Sequence, residues 1–162
     1  MIPLKVYIVQ NGDKNIAEGK SCEGCVSCCD GNLSANIFGY EMGGLDKRGC
    51  HLLDYENKKC GFYKERPQLC RDFQCEWLVN EDMPAELKPS VVDNIVVKYT
   101  CEDEPYLFIS HKYQAPNQDL LDWMIDYCNR KQLNLSWWEH GTLKLRGTKQ
   151  WVRAMKYTHS IT

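Results

Sequence analysis

Eight cysteines lie between residues 22 and 75 of this 162-residue chain, and they limit what the chain can fold into more than any other feature does. The first four form the motif CEGCVSCC at residues 22–29, and the others are Cys50, Cys60, Cys70 and Cys75. The segment 21–49 is rich in glycine and has few periodic apolar positions, so it cannot build a hydrophobic core by itself. Bonds to a metal would supply the missing cohesion, because in loop-rich segments they replace hydrophobic burial.

Cysteine chemistry depends on the compartment, and the sequence favours a reducing one. The N-terminal segment 2–9 is apolar, but it is short, is interrupted by Lys5 and has no small-residue cleavage site after it. We interpret it as a first strand and not as a signal peptide. No apolar run reaches the roughly 18 residues of a transmembrane candidate. We therefore predict a cytoplasmic protein without a membrane partner, in which ten cysteines favour metal binding over disulfides.

The charge balance gives no electrostatic case for a nucleic-acid partner. Lysine and arginine number 20 and aspartate and glutamate 22, so the net charge is −2.

Hydrophobic residues make up 43% of the chain and aromatic residues 11%, which favours a packed core. We expect one domain, residues 1–162, with a cysteine-cluster metal-binding region at 20–90 and a hairpin and helix scaffold at 91–162.

The fold class predicted from the pattern is α+β: a small single domain in which a loop-rich, cysteine-ligated metal lobe adjoins antiparallel hairpins packed with two or three helices. Residues 91–101 and 106–113 read as one hairpin, and residues 133–138 and 142–146 as another. Apolar residues recur at helical spacing from Leu120 to Cys128, with Asn117 as the expected cap. Residues 149–157 are expected to form a terminal helix.

Two local predictions concern the later cysteines. Residues 50–63 resemble a short hairpin, which would place Cys50 and Cys60 side by side across its ladder. Pro67 is suited to the first position of a helix that runs to about Leu78. Because Cys70 and Cys75 are five residues apart and do not stack on one helical face, that helix is expected to loosen before Cys75.

The spacing favours metal and leaves its identity open. The three-cysteine run at Cys22, Cys25 and Cys28 matches a ferredoxin-type cluster, which takes its fourth thiolate from elsewhere. Eight cysteines also divide into two tetrahedral four-thiolate zinc sites, with Cys28 and Cys29 each serving a different site because neighbouring side chains diverge. We prefer a 4Fe-4S cluster and keep Zn²⁺ as the alternative.

The cysteine pattern also resembles a known family. The motif at 22–29, the segments CHL at 50–52 and CGFY at 60–63, and above all the RPQLCRDF element at 66–73 are similar to the YkgJ-type CxxCxxCC cysteine-cluster family, described as zinc- or iron-chelating domains. The likeness covers residues 20–90. It implies metal or cofactor binding through Cys22, Cys25, Cys28, Cys29, Cys50, Cys60, Cys70 and Cys75, and it implies little about activity.

Other candidate residues have simpler interpretations. Cys101 and Cys128 are expected to be small core residues. His51 is expected to point away from the thiols. Arg66 and Arg71 flank the late cysteines and either offset thiolate charge or pair with neighbouring carboxylates. Trp137, Trp138 and Trp151 are expected in the core.

No catalytic constellation stands out, and whether the chain is an enzyme stays open. The first functional hypothesis is an iron-sulfur protein with an electron-transfer or accessory redox role. The second is a structural zinc module for protein-protein interaction. The third is a cluster-dependent enzyme whose substrate occupies an open coordination position. We expect a protein partner whose identity the sequence does not indicate.

Overall fold

The structure is a computed structural model that describes residues 16–159, so the strand predicted for residues 2–9 lies outside the described residues. Its strands are β1 (Ala35–Ile37), β2 (Tyr40–Met42), β3 (Leu53–Asp54), β4 (Lys59–Cys60), β5 (Asn94–Cys101), β6 (Glu104–His111), β7 (Asn134–Glu139) and β8 (Thr142–Arg146). Its α-helices are α1 (Gln68–Asp72), α2 (Glu76–Val79), α3 (Pro89–Val92), α4 (Gln118–Lys131) and α5 (Lys149–Thr158). A π-helical turn spans Cys28–Asn32, and short 3-10 turns span Tyr63–Glu65 and Ala85–Leu87.

The scaffold is a four-stranded sheet in the order β5, β6, β7, β8. Both predicted hairpins are present, and each closes through two residues with positive φ, Glu102 and Asp103 in one and His140 and Gly141 in the other. Turns with two positive φ angles match the twist of antiparallel strands. The hairpins join through β6 and β7, which pair in parallel with α4 as the crossover. This parallel pairing was not predicted.

The two long helices cover opposite faces of the sheet. Alternate residues of β6 divide between the faces, since Leu107 and Ile109 belong to the core cluster that includes α4 residues such as Met124. Tyr106 belongs to the second cluster, which includes Trp151 of α5. Burial on both faces explains why these strands are nearly continuous in apolar residues. The predicted α+β class is confirmed.

Both helix starts follow from short polar side chains. The Asn117 side chain accepts a hydrogen bond from the Leu120 amide at 3.1 Å, as predicted, and the Thr148 hydroxyl accepts one from the Trp151 amide at 3.2 Å. Each bond satisfies an amide that has no partner within its helix. Within residues 16–159 no helix is long and apolar enough to cross a membrane.

The cysteine-rich lobe, residues 16–74, departs from the predictions in two places. Strands β3 and β4 form a hairpin, but its register pairs Cys60 with Leu53 and not with Cys50. The helix expected from Pro67 to Leu78 is two helices, α1 and α2, separated by extended backbone at Phe73 and Cys75. The break lies between Cys70, which is in α1, and Cys75, which directly precedes α2. The strand expected from Val91 begins at Asn94, because Val91 belongs to α3.

The lobe has little core of its own. The buried members of both hydrophobic clusters all lie after Cys75, with Trp77 the first of them. Ile37 and Met42 are buried within the lobe, whereas Phe38, Leu45 and Tyr55 are exposed. So few buried apolar side chains leave the order of the lobe to other interactions.

A polar network fastens the turn at Cys28–Asn32 to the sheet. The Asn32 side chain donates to the Ser27 carbonyl at 3.0 Å and to Asp93 at 2.9 Å. Lys112, at the end of β6, bridges Asp30 at 3.1 Å and Asp93 at 3.3 Å. Burial alone would raise the pKa of Asp93, but hydrogen bonds from the Tyr113 hydroxyl and Asn32 together with the Lys112 charge lower it. The turn that presents Cys28 and Cys29 is therefore attached to Asp93 through Asn32 and to Lys112 through Asp30.

Candidate metal centre

The structure places the eight predicted ligands in two neighbourhoods, and none of the ten cysteines forms a disulfide. Cys22 is exposed, the other seven are partly buried, and Cys101 and Cys128 are buried in the core as predicted. We name the first neighbourhood group A (Cys22, Cys25, Cys28, Cys75) and the second group B (Cys29, Cys50, Cys60, Cys70).

Group A begins in a tight turn. The Cys25 amide donates to the Cys22 carbonyl at 2.9 Å, and Gly24 between them has a φ of 71°, which the turn accommodates because glycine lacks a Cβ. The turn brings the two thiols near each other, and burial together with the Cys25 thiol raises the pKa of Cys22. Cys28 follows one further turn along the chain.

Contacts with α2 bring that loop to Cys75. The Ala17 amide donates to the Leu78 carbonyl at 2.9 Å. The Lys20 ammonium donates to the carbonyls of Trp77 at 2.9 Å and Met83 at 2.8 Å, and it lies 4.7 Å from the centre of the Trp77 ring. Cys75 packs against the main core cluster, so the scaffold fixes the fourth member of group A.

The thiols of group A influence one another. Burial raises the pKa of Cys75 to about 12, and the thiols of Cys22 and Cys25 raise it as well. The amides of Leu78 and Trp77 donate to the Cys75 sulfur and oppose this rise. Amide groups that point at a sulfur stabilise its thiolate form, which is the form that binds metal. Cys75 therefore combines a partly buried position against the core with donors that favour ligation.

Group B is assembled by backbone contacts of the lobe. The Cys50 amide donates to the Cys29 carbonyl at 2.6 Å, which places these two residues against each other. The Leu53 amide donates to the Cys50 carbonyl at 3.1 Å, and Leu53 is the ladder partner of Cys60. Cys70 approaches from α1, where its amide donates to the Pro67 carbonyl at 2.9 Å.

The effects of these thiols on one another's pKa values indicate the same four members of group B as the backbone contacts do. Burial raises the pKa of Cys70, and the thiols of Cys29, Cys50 and Cys60 raise it further. Burial likewise raises the pKa of Cys50, with further contributions from Cys29 and Cys60, while the Leu52 amide donates to its sulfur and opposes them. Neighbouring thiols have this effect because two thiolates repel each other at short range. The four side chains thus form one neighbourhood.

The two groups meet at adjacent residues. The sulfurs of Cys28 and Cys29 are 3.8 Å apart and share a hydrogen bond. That bond raises the pKa of Cys28, which burial also raises, and it lowers the pKa of Cys29. Beyond this contact, the thiols that raise the pKa of Cys28 are Cys25 and Cys75 of group A.

The thiols do not form closed tetrahedra as they stand. Among residues 16–159, no three side chains of histidine, cysteine, aspartate or glutamate lie close enough together to hold one metal ion. The donor set nevertheless suits a thiophilic metal, because each group offers four thiols free of disulfides and contains a sulfur that receives amide hydrogen bonds.

The residues around the thiols differ in their roles. His51 is exposed and stacks on Tyr40 with ring centres 4.5 Å apart, although its Nδ1 is 4.0 Å from the Cys50 sulfur. The Arg66 guanidinium lies over the Tyr63 ring at 4.1 Å. Burial raises the pKa of Cys22 in group A and of Cys70 in group B, and the Arg66 charge opposes both rises. The Arg71 Nε donates to the Arg66 carbonyl at 3.1 Å and so supports its position.

The tryptophan prediction is partly wrong. Trp137 and Trp151 are buried in the two core clusters, whereas Trp138, on the alternate face of β7, is exposed by 42%. The polar network of Lys112, Asp30 and Asp93 was missed at the sequence level. Only the presence of Asp30 directly after Cys29 hinted at this network, since Lys112 lies 82 residues beyond Asp30 and Asp93 lies 61 residues beyond Asn32.

Comparison of the chain with protein-family models, with curated proteins and with solved structures finds no match. The resemblance to the YkgJ-type family therefore stays a prediction from the cysteine motifs.

Proposed function

We propose that this protein carries an iron-sulfur cluster of the 4Fe-4S type on group A and serves in electron transfer or an accessory redox step. The observation that carries the proposal is the membership of group A. Three of its thiols come from the run Cys22, Cys25, Cys28, and the fourth comes from Cys75, remote in sequence but brought near by the contacts of α2. This is the ligand pattern of ferredoxin-type clusters.

The surroundings of group A fit a redox role. Cys22 is exposed while Cys75 contacts the core, so a cluster held between them would lie near the surface with one side in the protein. Amide hydrogen bonds to a cluster sulfur raise its reduction potential, and Cys75 receives two. The cluster would supply one-electron chemistry, and the chain would supply four thiolates, amide donors and a surface for a redox partner.

Four protein thiolates leave no open position on such a cluster, which favours electron transfer over substrate binding. The carboxylates near the lobe do not add a catalytic pair, since Asp30 and Asp93 are engaged by Lys112. We place the protein in the cytoplasm, where a reducing environment keeps its thiols available. A structural zinc site on the same thiols is the competing assignment, and it predicts no redox response.

The test is an anaerobic reductive titration of the full chain, followed by visible absorption and electron paramagnetic resonance. We expect brown protein whose broad visible absorption bleaches on reduction and returns on oxidation. Cys75→Ser should remove or alter the paramagnetic signal of the group A cluster, whereas the matched core variant Cys128→Ser should keep it. A colourless protein, or identical signals in both variants, would overturn the proposal.

A further inference from the structure

We infer that the outer face of α5 docks an acidic segment of a partner protein, on a surface that is separate from the cysteine cluster. The argument begins with the distribution of charge along the chain. Residues 140–162 contain no aspartate or glutamate, whereas the rest of the chain contains all 22. The same stretch contains five lysine and arginine residues: Lys144, Arg146, Lys149, Arg153 and Lys156. The net charge of −2 is therefore the sum of +5 in this stretch and −7 in the rest of the chain.

The fold places three of these cations in one row on the outside of α5. The inner face of this helix is in the core, where Trp151 and Met155 are almost completely buried. Lys149, Arg153 and Lys156 are exposed, and their spacing of four and three residues puts them on one side of the helix. Within residues 16–159 none of the three forms an ion pair with a carboxylate.

This row is unfavourable for the helix itself. Like charges three or four residues apart repel each other, and both neighbouring pairs of the row have this spacing. Lys149 also lies in the first turn of α5, where the helix dipole disfavours a cation and where no acidic residue is present. The other long helix is built in the opposite way, since Arg130 of α4 bonds to Asp126 four residues earlier at 2.9 Å. Pairs of that kind stabilise a solvated helix, so their absence from α5 indicates an anionic ligand.

A shallow depression beside the row offers the ligand a second point of contact. It has a volume of about 570 Å³ and is lined by Glu102, Lys149, Gln150, Arg153, Ala154 and Tyr157. Tyr157 is exposed by 83%, and tyrosine together with arginine is typical of protein interfaces. The face therefore combines a row of cations with an aromatic side chain that a partner can cover.

The composition of this face favours an acidic protein over other anionic partners. Glu102 repels a nucleic acid, whose charge is uniform, whereas a protein segment can place a hydrogen-bond donor opposite this carboxylate. A membrane requires an apolar helix face that can enter the bilayer, and the apolar face of α5 is in the core. A second copy of this chain is a weaker match, because Asp126 on its exposed α4 is already bound by Arg130.

This docking face goes beyond the proposed redox function and does not depend on it. The helix α5 packs on the face of the sheet opposite to α4, whereas Cys75 of group A packs against the core cluster that contains α4. A partner on α5 thus lies across the sheet from group A. Its binding can be measured on the full chain whichever metal that chain contains.

The probe is a fluorescein-labelled, alanine-rich helical peptide with glutamates at positions i, i+3 and i+7, the antiparallel match to the row. Fluorescence anisotropy measures its affinity for the full chain. A second peptide has the same composition, but its glutamates lie on different sides of the helix. We expect the first peptide to bind about fivefold more tightly than the second, and its affinity to fall as the salt concentration rises.

Two variants that lose the same charge separate the α5 face from general electrostatics. One combines Lys149→Gln, Arg153→Gln and Lys156→Gln. The other combines Lys58→Gln, Lys59→Gln and Lys64→Gln, three exposed lysines of the cysteine-rich lobe. We expect the first variant to weaken binding by about tenfold and the second by less than about twofold. Equal losses in the two variants, or equal affinities for the two peptides, would overturn the inference.

A single substitution distinguishes a binding role from a structural one. Lys149→Glu places a carboxylate in the first turn of α5, four residues before Arg153, so the midpoint of urea denaturation should rise while the peptide binds more weakly. A lower midpoint would show that Lys149 serves the fold. Tighter binding of a single-stranded oligonucleotide or of phosphatidylserine vesicles than of the peptide would also refute the assignment, as would self-association of the chain that the peptide disrupts.

Discussion

Gly31 should be among the glycines of the cysteine-rich lobe that are most sensitive to substitution. It has a φ of 86°, and a Cβ at this position would lie 2.2 Å from the Lys47 carbonyl oxygen. Since Cβ atoms stay at least 3.0 Å from such atoms, Gly31→Ala must push this backbone away by about 0.8 Å. Lys47 lies three residues before Cys50, so the displacement reaches group B.

Gly24 provides a matched control. It also has a positive φ, 71°, but a Cβ there meets nothing within 4 Å. Both alanine variants carry the cost of a left-handed residue, about 1 kcal/mol. Gly31→Ala adds the cost of overpacking, about 1–3 kcal/mol, so its free energy of unfolding should fall by roughly 2–4 kcal/mol against about 1 kcal/mol for Gly24→Ala.

Urea denaturation of the two variants and of the unsubstituted protein, followed by circular dichroism, measures both free energies of unfolding. We expect Gly31→Ala to unfold at a lower urea concentration than Gly24→Ala. If the free energies of unfolding of the two variants agree within about 0.5 kcal/mol, the close approach of Gly31 to the Lys47 carbonyl is not a feature of the folded protein.

Three further predictions concern the scaffold. Lys112→Met should lower the free energy of unfolding by about 1–2 kcal/mol, because the two carboxylates that Lys112 bridges are only about one-third exposed. Arg130→Gln breaks an exposed ion pair and should lower the free energy of unfolding by at most about 0.5 kcal/mol in the same urea denaturation assay. Burial alone would lower the pKa of Lys112, but its hydrogen bond to Asp30 and the charge of Asp93 raise it. The difference in free energy of unfolding between the unsubstituted protein and Lys112→Met should therefore be constant up to about pH 10 and shrink as the pH rises through the raised pKa. A difference that grows above about pH 10 would contradict the ion pair. Leu135→Ala, at a fully buried position of the sheet, should cost about 2–5 kcal/mol with an unchanged urea dependence, and a cost below about 1 kcal/mol would show that the site is not in the core. Cys101→Ala and Cys128→Ala should leave the metal content unchanged, since both thiols lie in the core clusters, and loss of metal in either variant would make that residue a ligand.

The elements that could be predicted from the sequence are those determined by local patterns. The helix after Asn117 was recognisable because its cap and its apolar period both lie within 14 residues. The turn at His140 and Gly141 was recognisable because glycine adopts a positive φ more easily than any other residue. These signals need no information about distant partners.

What could not be predicted depends on contacts remote in sequence. The parallel pairing of β6 with β7 is determined by how α4 packs on the sheet, and no local motif encodes it. The register that pairs Cys60 with Leu53 differs by three residues from one that would pair it with Cys50. Either register closes a polar turn, so the sequence pattern does not choose between them.

The candidate ligands could be predicted from their spacing, but their grouping could not. The sequence suggested that Cys28 and Cys29 serve different sites, yet it did not indicate that Cys75 joins the early run while Cys70 joins Cys50 and Cys60. That division depends on the break between α1 and α2 and on the hydrogen bond from Lys20 to the Trp77 carbonyl of α2. Both are tertiary features.

The central claim, a thiolate-bound iron-sulfur cluster, is tested most directly by measuring iron, acid-labile sulfide and zinc in the full chain isolated anaerobically and without reconstitution. The account predicts brown protein with iron and sulfide in equal amounts, about four of each for every filled 4Fe-4S centre. A colourless protein that contains stoichiometric zinc and no sulfide would contradict it.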